Sequence, residues 1–316
     1  MRITWARLLA EWNEFEKALS QFTKLVEHDP ENKEAVYAAA VLNMELGNDP
    51  MATRMFVRYL ELDPEHDQSR LFLARIAAGQ DRFDDALSWL SEVTSPEYIF
   101  DAQLRTAFVL ADAKRADEAL AHLIQMVPDS VPEQVRIYLA QERILRQSEG
   151  LEAALELLDA ALIDVPEHGD LLYARGLVTA QLKLIDKHEA DMRRLIELEP
   201  DNAHAYNALG YTLADQTDRL DEALVLIERA LVLLPEDPFI LDSMGWVHYR
   251  LGNNDLAREY LQKAIDLRLD AEIAAHLGEV LWMDGERDQA RTVWQRGHEN
   301  DPDNSVLRET LRKFEP

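Results

Sequence analysis

A single slot recurs along this chain at close to 34-residue intervals, and that period constrains the fold more than any other feature. The slot holds Ala18, Ala52, Ala86, Ala119, Ala154, His188, Ala223, Ala257 and Ala290, spaced 34, 34, 33, 35, 34, 35, 34 and 33 residues apart. Four residues after each stands a large apolar residue: Phe22, Phe56, Leu90, Leu123, Leu158, Met192, Ile227, Leu261 and Trp294. Twelve residues before each lies a second slot, occupied by Ala6, Ala40, Ala74, Ala107, Glu142, Gly176, Gly210, Gly245 and Gly278, with one residue inserted after Gly210. A period of this length marks one supersecondary unit stacked on copies of itself, with a core that runs along the stack.

The inside of each unit reads as helix, turn, helix, turn. Proline closes the units at Pro30, Pro64, Pro96, Pro128, Pro166, Pro200, Pro235 and Pro302, and proline cannot continue a helix. Asn32, Asn202 and Asn304 follow at capping positions. Gly47, Gly252 and Gly285 break the chain between the two small slots. Two antiparallel helices approach closely where one lacks bulk, so the small residue admits the large one from its partner.

This pattern resembles the tetratricopeptide repeat, with L-G-x2-Y, then A-x3-F, then P. Leu209-Gly210-Tyr211-Thr212-Leu213 and Leu277-Gly278-Glu279-Val280-Leu281 carry it most closely. The resemblance covers about nine units and implies an all-α, right-handed superhelical solenoid over residues 1–302, followed by a capping helix and tail over 303–316. Glu142 and His188 depart from the small-residue pattern, and looser or altered packing is expected there. Residues 304–314 read as an amphipathic cap with Glu309, Arg312 and Lys313 on its polar side. The first helix instead carries Ile3, Trp5, Leu8, Leu9, Trp12 and Phe15, as if earlier repeats preceded it in a longer protein or another chain covered it.

Composition narrows the partners. The chain has 33 basic and 60 acidic side chains, a net charge of −27, which repels nucleic acid and anionic lipid. It has no cysteine, which excludes disulfides, thiolate metal sites and cysteine nucleophiles. No apolar run is long enough to span a membrane, and Met1-Arg2-Ile3-Thr4-Trp5 does not begin a signal peptide. Metal-protease, phosphate-loop, dinucleotide-binding and nucleophile-elbow motifs are all missing, so no catalytic residue, cofactor or metal is expected. His248 and His276, on adjacent units, lack a third ligand and read as packing or groove residues.

In proteins resembling this one, the first helix of each hairpin lines a concave face. In the last three units that stripe would carry Asn207 and Tyr211, then Asp242, Trp246 and Tyr249, then Glu279 and Trp282. Aromatic rings among hydrogen-bonding groups have the composition of a peptide-binding hot spot. The competing reading makes Trp246 and Trp282 core residues. The middle units offer Arg75, Arg105, Arg136, Arg143 and Arg146 near the same stripe, suited to a carboxylate terminus or acidic segment, or else to salt bridges within the chain. The two-Asn, two-Lys clamp that some family members use for chaperone tails is not recognisable.

The stretches 207–215, 241–250 and 275–282 are more distinctive than the bare repeat. They resemble the C-terminal half of proteobacterial repeat proteins that are commonly lipoproteins of the outer membrane. Some of these are adaptors that hold periplasmic carboxyl-terminal-processing proteases together with substrates, including cell-wall hydrolases. The resemblance implies a location at the periplasmic face of the outer membrane, although the lipid-attachment cysteine is missing here. The alternatives are a general binding module in envelope or pilus assembly, and a cytoplasmic location.

Overall fold

The structure is a computed structural model that describes residues 2–314. Met1, Glu315 and Pro316, at the edges of the expected repeat array and tail, lie outside the described residues. All regular structure among the described residues is α-helical. The chain divides into two compact units, one ending at Ser148 and one beginning at Glu149.

The first unit contains α1 (Arg2–Glu11), α2 (Phe15–His28), α3 (Lys33–Glu45), α4 (Asp49–Leu62), α5 (Asp67–Ala78), α6 (Phe83–Ser91), α7 (Pro96–Asp112), α8 (Ala116–Gln125) and α9 (Val131–Ser148). The second contains α10 (Leu151–Asp164), α11 (Gly169–Gln181), α12 (Ile185–Leu198), α13 (Ala203–Gln216), α14 (Leu220–Leu233), α15 (Pro238–Arg250), α16 (Asn254–Leu267), α17 (Ala271–Met283), α18 (Arg287–Asn300) and α19 (Ser305–Phe314). Within each unit the helices pair as hairpins, such as α3 with α4 and α15 with α16, and each hairpin packs on the next.

Local chemistry sets the helix ends. The side chains of Asn32, Asn202 and Asn304 accept from the amides of Ala35, Ala205 and Leu307 at 3.0, 3.1 and 3.0 Å, which satisfies one free donor of each helix start. The turn inside the hairpin places one residue in the left-handed region: Gly47, Gly252 and Gly285, but also Asn13, Asp81, Lys114 and Lys183. All seven stand five residues before the small slot. The next amide reaches back to the helix, as Asn48 does to the Asn43 carbonyl at 2.8 Å and Glu286 to that of Leu281 at 2.9 Å. The repeat with the inserted residue abandons this turn. There α13 runs on to Gln216, and Thr217 is extended.

The slots meet as their sizes require. A Cβ on Gly210 would stand 2.6 Å from Ile227 Cγ1, and one on Gly278 only 2.0 Å from Trp294 Nε1. His188 fills its slot by a different device. Its Nδ1 lies 2.8 Å from the Gly176 carbonyl oxygen and its Nε2 3.2 Å from that of Ala208, the ring N–H donates to one of the two, and no surface is exposed. Packing at His188 is therefore altered and not loosened. Glu142 is nearly buried and accepts from Arg146 Nε at 2.7 Å.

The helix α19 closes the second unit. Leu307 is buried, and the Phe314 ring stacks on Trp294 with 5.8 Å between centroids. Glu309, Arg312 and Lys313 are exposed. On α1, Ala6 and Leu9 are buried while Trp5 and Leu8 stand exposed, as does Trp12 just after it, with Trp5 edge-on to Trp12.

Candidate functional site

In the second unit α13, α15, α17 and α19 stand side by side, and the stripe expected from the sequence links them. Tyr211 on α13 donates its hydroxyl to Glu272 Oε1 on α17 at 2.9 Å. Asp242 on α15 accepts from His276 Nδ1 on α17 at 2.9 and 3.0 Å. Tyr249 on α15 donates to Glu279 Oε1 at 3.1 Å, and the same oxygen accepts from Lys313 Nζ on α19 at 2.9 Å. Trp246 lies in the middle, its ring stacked on His276 at 4.3 Å and 5.3 Å from Tyr249.

The electrostatics follow from depth. Burial pushes the Tyr211 hydroxyl well above its ordinary range, with Glu272 adding to it. Burial raises the Glu272 carboxyl too, opposed by the charge of His276. Burial and then Glu279 push Tyr249 up. Both tyrosines are therefore fixed hydrogen-bond donors at neutral pH.

Trp246 is only 8% exposed and belongs to the apolar cluster around Leu213, Ile227 and Val247, so the core reading holds for most of its ring. Among the described residues, however, its Nε1 has no hydrogen-bond partner, and neither does Oδ1 of Asn207 on α13. A buried donor or acceptor left unpaired costs about 1–3 kcal/mol. Trp282 is half-buried against Trp294 and Phe314, with the Arg287 guanidinium 5.0 Å above it.

The arginines of the first unit separate into two groups. Arg146 is tied to Glu142, and Arg136 to Asp101 at 2.6 Å. Arg143 lies over the Phe108 ring at 5.0 Å. Arg75 and Arg105 are exposed and, among the described residues, pair with no acid. Of the five arginines singled out from the sequence, Arg75, Arg105 and Arg143 pair with no acid among the described residues.

Sequence reasoning missed Glu272 and Lys313 as members of this network. A signal existed for Lys313, which follows Glu279 by 34 residues, just as His276 follows Asp242. His248 stacks on Tyr260 and stands apart from that network. Among the described residues no group of three or more His, Asp or Glu is arranged to hold a metal ion, and no helix is long and apolar enough to cross a membrane.

A family model described as tetratricopeptide repeat matches residues 3–52, 50–99, 189–238 and 243–305. A TPR repeat-containing protein of Pseudomonas aeruginosa is 39% identical over 213 residues, covering 67% of this chain and 36% of that protein. The bacteriophage adsorption protein A of Escherichia coli is 29% identical over 104 residues, 33% of this chain and 10% of that one. The chain thus spans about a third or less of these relatives. Among solved structures, a tetratricopeptide repeat protein from Parabacteroides merdae superposes with a TM-score of 0.57 at 14% identity, over 90% of this chain and 99% of that one. A TPR protein from Thermus thermophilus gives 0.51 at 24% identity, over 56% of this chain and 96% of the other. Both show the fold alone.

Proposed function

The chain belongs to the tetratricopeptide repeat family and is a scaffold for protein–protein interaction; from that premise we propose that it is an adaptor that holds a periplasmic carboxyl-terminal-processing protease together with its substrates. The observation that carries the reading is the pair of unpartnered buried polar atoms, Trp246 Nε1 and Asn207 Oδ1, on neighbouring first helices. Both are closed to solvent, so in this reading the flanking side chains shift to admit the backbone of a bound polypeptide, which every protein substrate presents whatever its sequence. The surrounding rings of Tyr211, Trp246 and Tyr249 would cover its apolar side chains. Holding enzyme and substrate on one scaffold turns a second encounter into a local one, and the gain comes from effective concentration. The adaptor works at the periplasmic face of the outer membrane.

The test uses Trp246→Phe/Asn207→Ala, which removes the two polar atoms and keeps an aromatic ring. Both chains are used for affinity capture from cell-envelope extract, read by mass spectrometry. The captured processing protease is then purified and its cleavage of a co-captured substrate timed with and without each chain. Faster cleavage with the wild type and not with the variant is the expected result. A protease rate indifferent to the wild-type chain would overturn the adaptor reading, and stable capture of assembly proteins alone would favour a binding module without a protease.

A further inference from the structure

The second helices of the second unit carry a feature that the first-helix stripe does not use. Their last turns carry exposed apolar residues at two adjacent positions: Ile163 and Val232 nine residues after the small slot, Leu198 and Leu267 ten after it. Val232 is 71% exposed and Leu267 55%. Two open concavities flank the segment between Leu231 and Glu236. One, of about 530 Å³, lies between α14 and α16 and is lined by Leu231, Pro235, Leu241, Tyr260 and Leu267. The other, of about 690 Å³, is lined by Pro200, Ala203, Leu233 and Leu234.

The charge around these apolar floors has one sign in excess. Glu236 and Asp266 line the first concavity, Glu199 and Asp201 the second. Asp201 is met by Arg229 at 3.3 Å. Against the acids stands Lys263, which is held by Glu259 at 2.6 Å and lies over the Tyr260 ring at 5.4 Å. His204 and Tyr260 are the other titratable groups in the linings. Anionic lipid and nucleic acid are repelled here, as they are by the chain as a whole.

We propose that this outer edge, from α12 to α16, is a second docking surface, and that its occupant is a basic amphipathic helix of another protein. The apolar stripe of such a helix fills the two concavities, and its Lys and Arg side chains reach Glu199, Glu236 and Asp266. The surface is built from second helices, inter-repeat turns and the starts of α13 and α15, and neither Trp246 nor Asn207 lines it. One scaffold with two such faces can hold two proteins at once.

The probe is a fluorescein-labelled synthetic peptide of Leu and Lys, about 18 residues long, with its leucines on one helical stripe. A scrambled isomer of the same composition is the control. Binding is read by anisotropy at about 0.15 M salt, where exposed charges are screened beyond roughly 8 Å. The wild-type chain should bind the patterned peptide about tenfold or more tightly than the scrambled one, a difference of about 1.4 kcal/mol or more. Leu234→Glu/Leu267→Glu and Glu236→Lys/Asp266→Lys should each lose that preference, while Trp246→Phe/Asn207→Ala keeps it. Leu267→Glu alone, at an exposed helix end, serves if the double variant does not fold. Equal binding of the two peptides, or full binding by both edge variants, overturns the proposal. So does wild-type self-association in sedimentation that Leu234→Glu/Leu267→Glu abolishes, since the occupant is then a second copy.

Discussion

His276 on α17 donates Nδ1 to both carboxylate oxygens of Asp242 on α15, at 2.9 and 3.0 Å, and both side chains are almost completely buried. The pair joins two neighbouring repeats through residues 34 apart, and the Trp246 ring lies against the imidazole. Removing one member of a buried pair leaves the other without compensation, so the contact specifies how these helices sit more than it adds net stability.

That pair makes stability depend on pH. Burial disfavours the imidazolium, but the charge and hydrogen bond of Asp242, with Glu272 and Asp215 beyond it, raise the His276 pKa to about 9. The unfolded value is about 6.5, so the folded chain holds the proton more tightly. The contribution is complete below about pH 6.5 and is lost as pH rises through about 9. Melting curves of the wild type and His276→Gln should therefore differ most below about pH 6.5, with the gap narrowing as pH rises through neutrality towards about 9. A constant gap across that window would show that the ring is uncharged in the fold.

Gly278 tests the close approach between helices. An added methyl would fall on the Trp294 ring, and Gly278→Ala should destabilise the second unit by about 1–3 kcal/mol through overpacking. Gly79→Ala is the control. Its φ of −64° suits any residue and its nearest neighbour would be 3.4 Å away, so the change should stay within about 0.5 kcal/mol. Denaturant titration followed by tryptophan fluorescence measures both.

His188→Ala restores the residue that the repeat holds elsewhere, yet it should destabilise by about 2–4 kcal/mol. It opens a cavity beside Met192 and removes the ring, held between the Gly176 and Ala208 carbonyls, whose N–H donates to one of them. Burial keeps the His188 pKa below its ordinary value, so the loss should not vary between pH 7 and 8. An unchanged denaturation midpoint would show that the slot collapses around alanine.

Asn304→Ala removes the side-chain acceptor at the start of α19 and should cost about 1 kcal/mol there. Hydrogen exchange should speed up through Ser305–Phe314 while α13 and α14 keep their protection. Loss of protection across the whole second unit would instead show that α19 holds the stack together.

The site was legible in part. Spacings of three and four residues placed Asn207 with Tyr211 and Asp242 with Trp246 and Tyr249 on single stripes, because helical geometry alone requires it. Which of these atoms would be paired was not legible, since Tyr211 meets Glu272 across 61 residues and that contact depends on how α13 and α17 stack. The same limit applied to the arginines, where one neighbouring acid separates Arg146 from the exposed Arg75.

The sequence by itself determined the hairpin. A small slot twelve residues before another, a large residue four after it, a proline and an asparagine at the corners leave little choice of local structure, because each acts within one repeat. Its left-handed turn position was only partly visible, since Asn13, Asp81, Lys114 and Lys183 occupy it as well as glycine. Tertiary structure decided the rest: the depth of Trp246, the bridge made by His188, the division after Ser148 and the exposed edge of the second helices. Burial and pairing depend on the orientation of each repeat on its neighbour, and that is set by the summed fit of many side chains and not by any single residue.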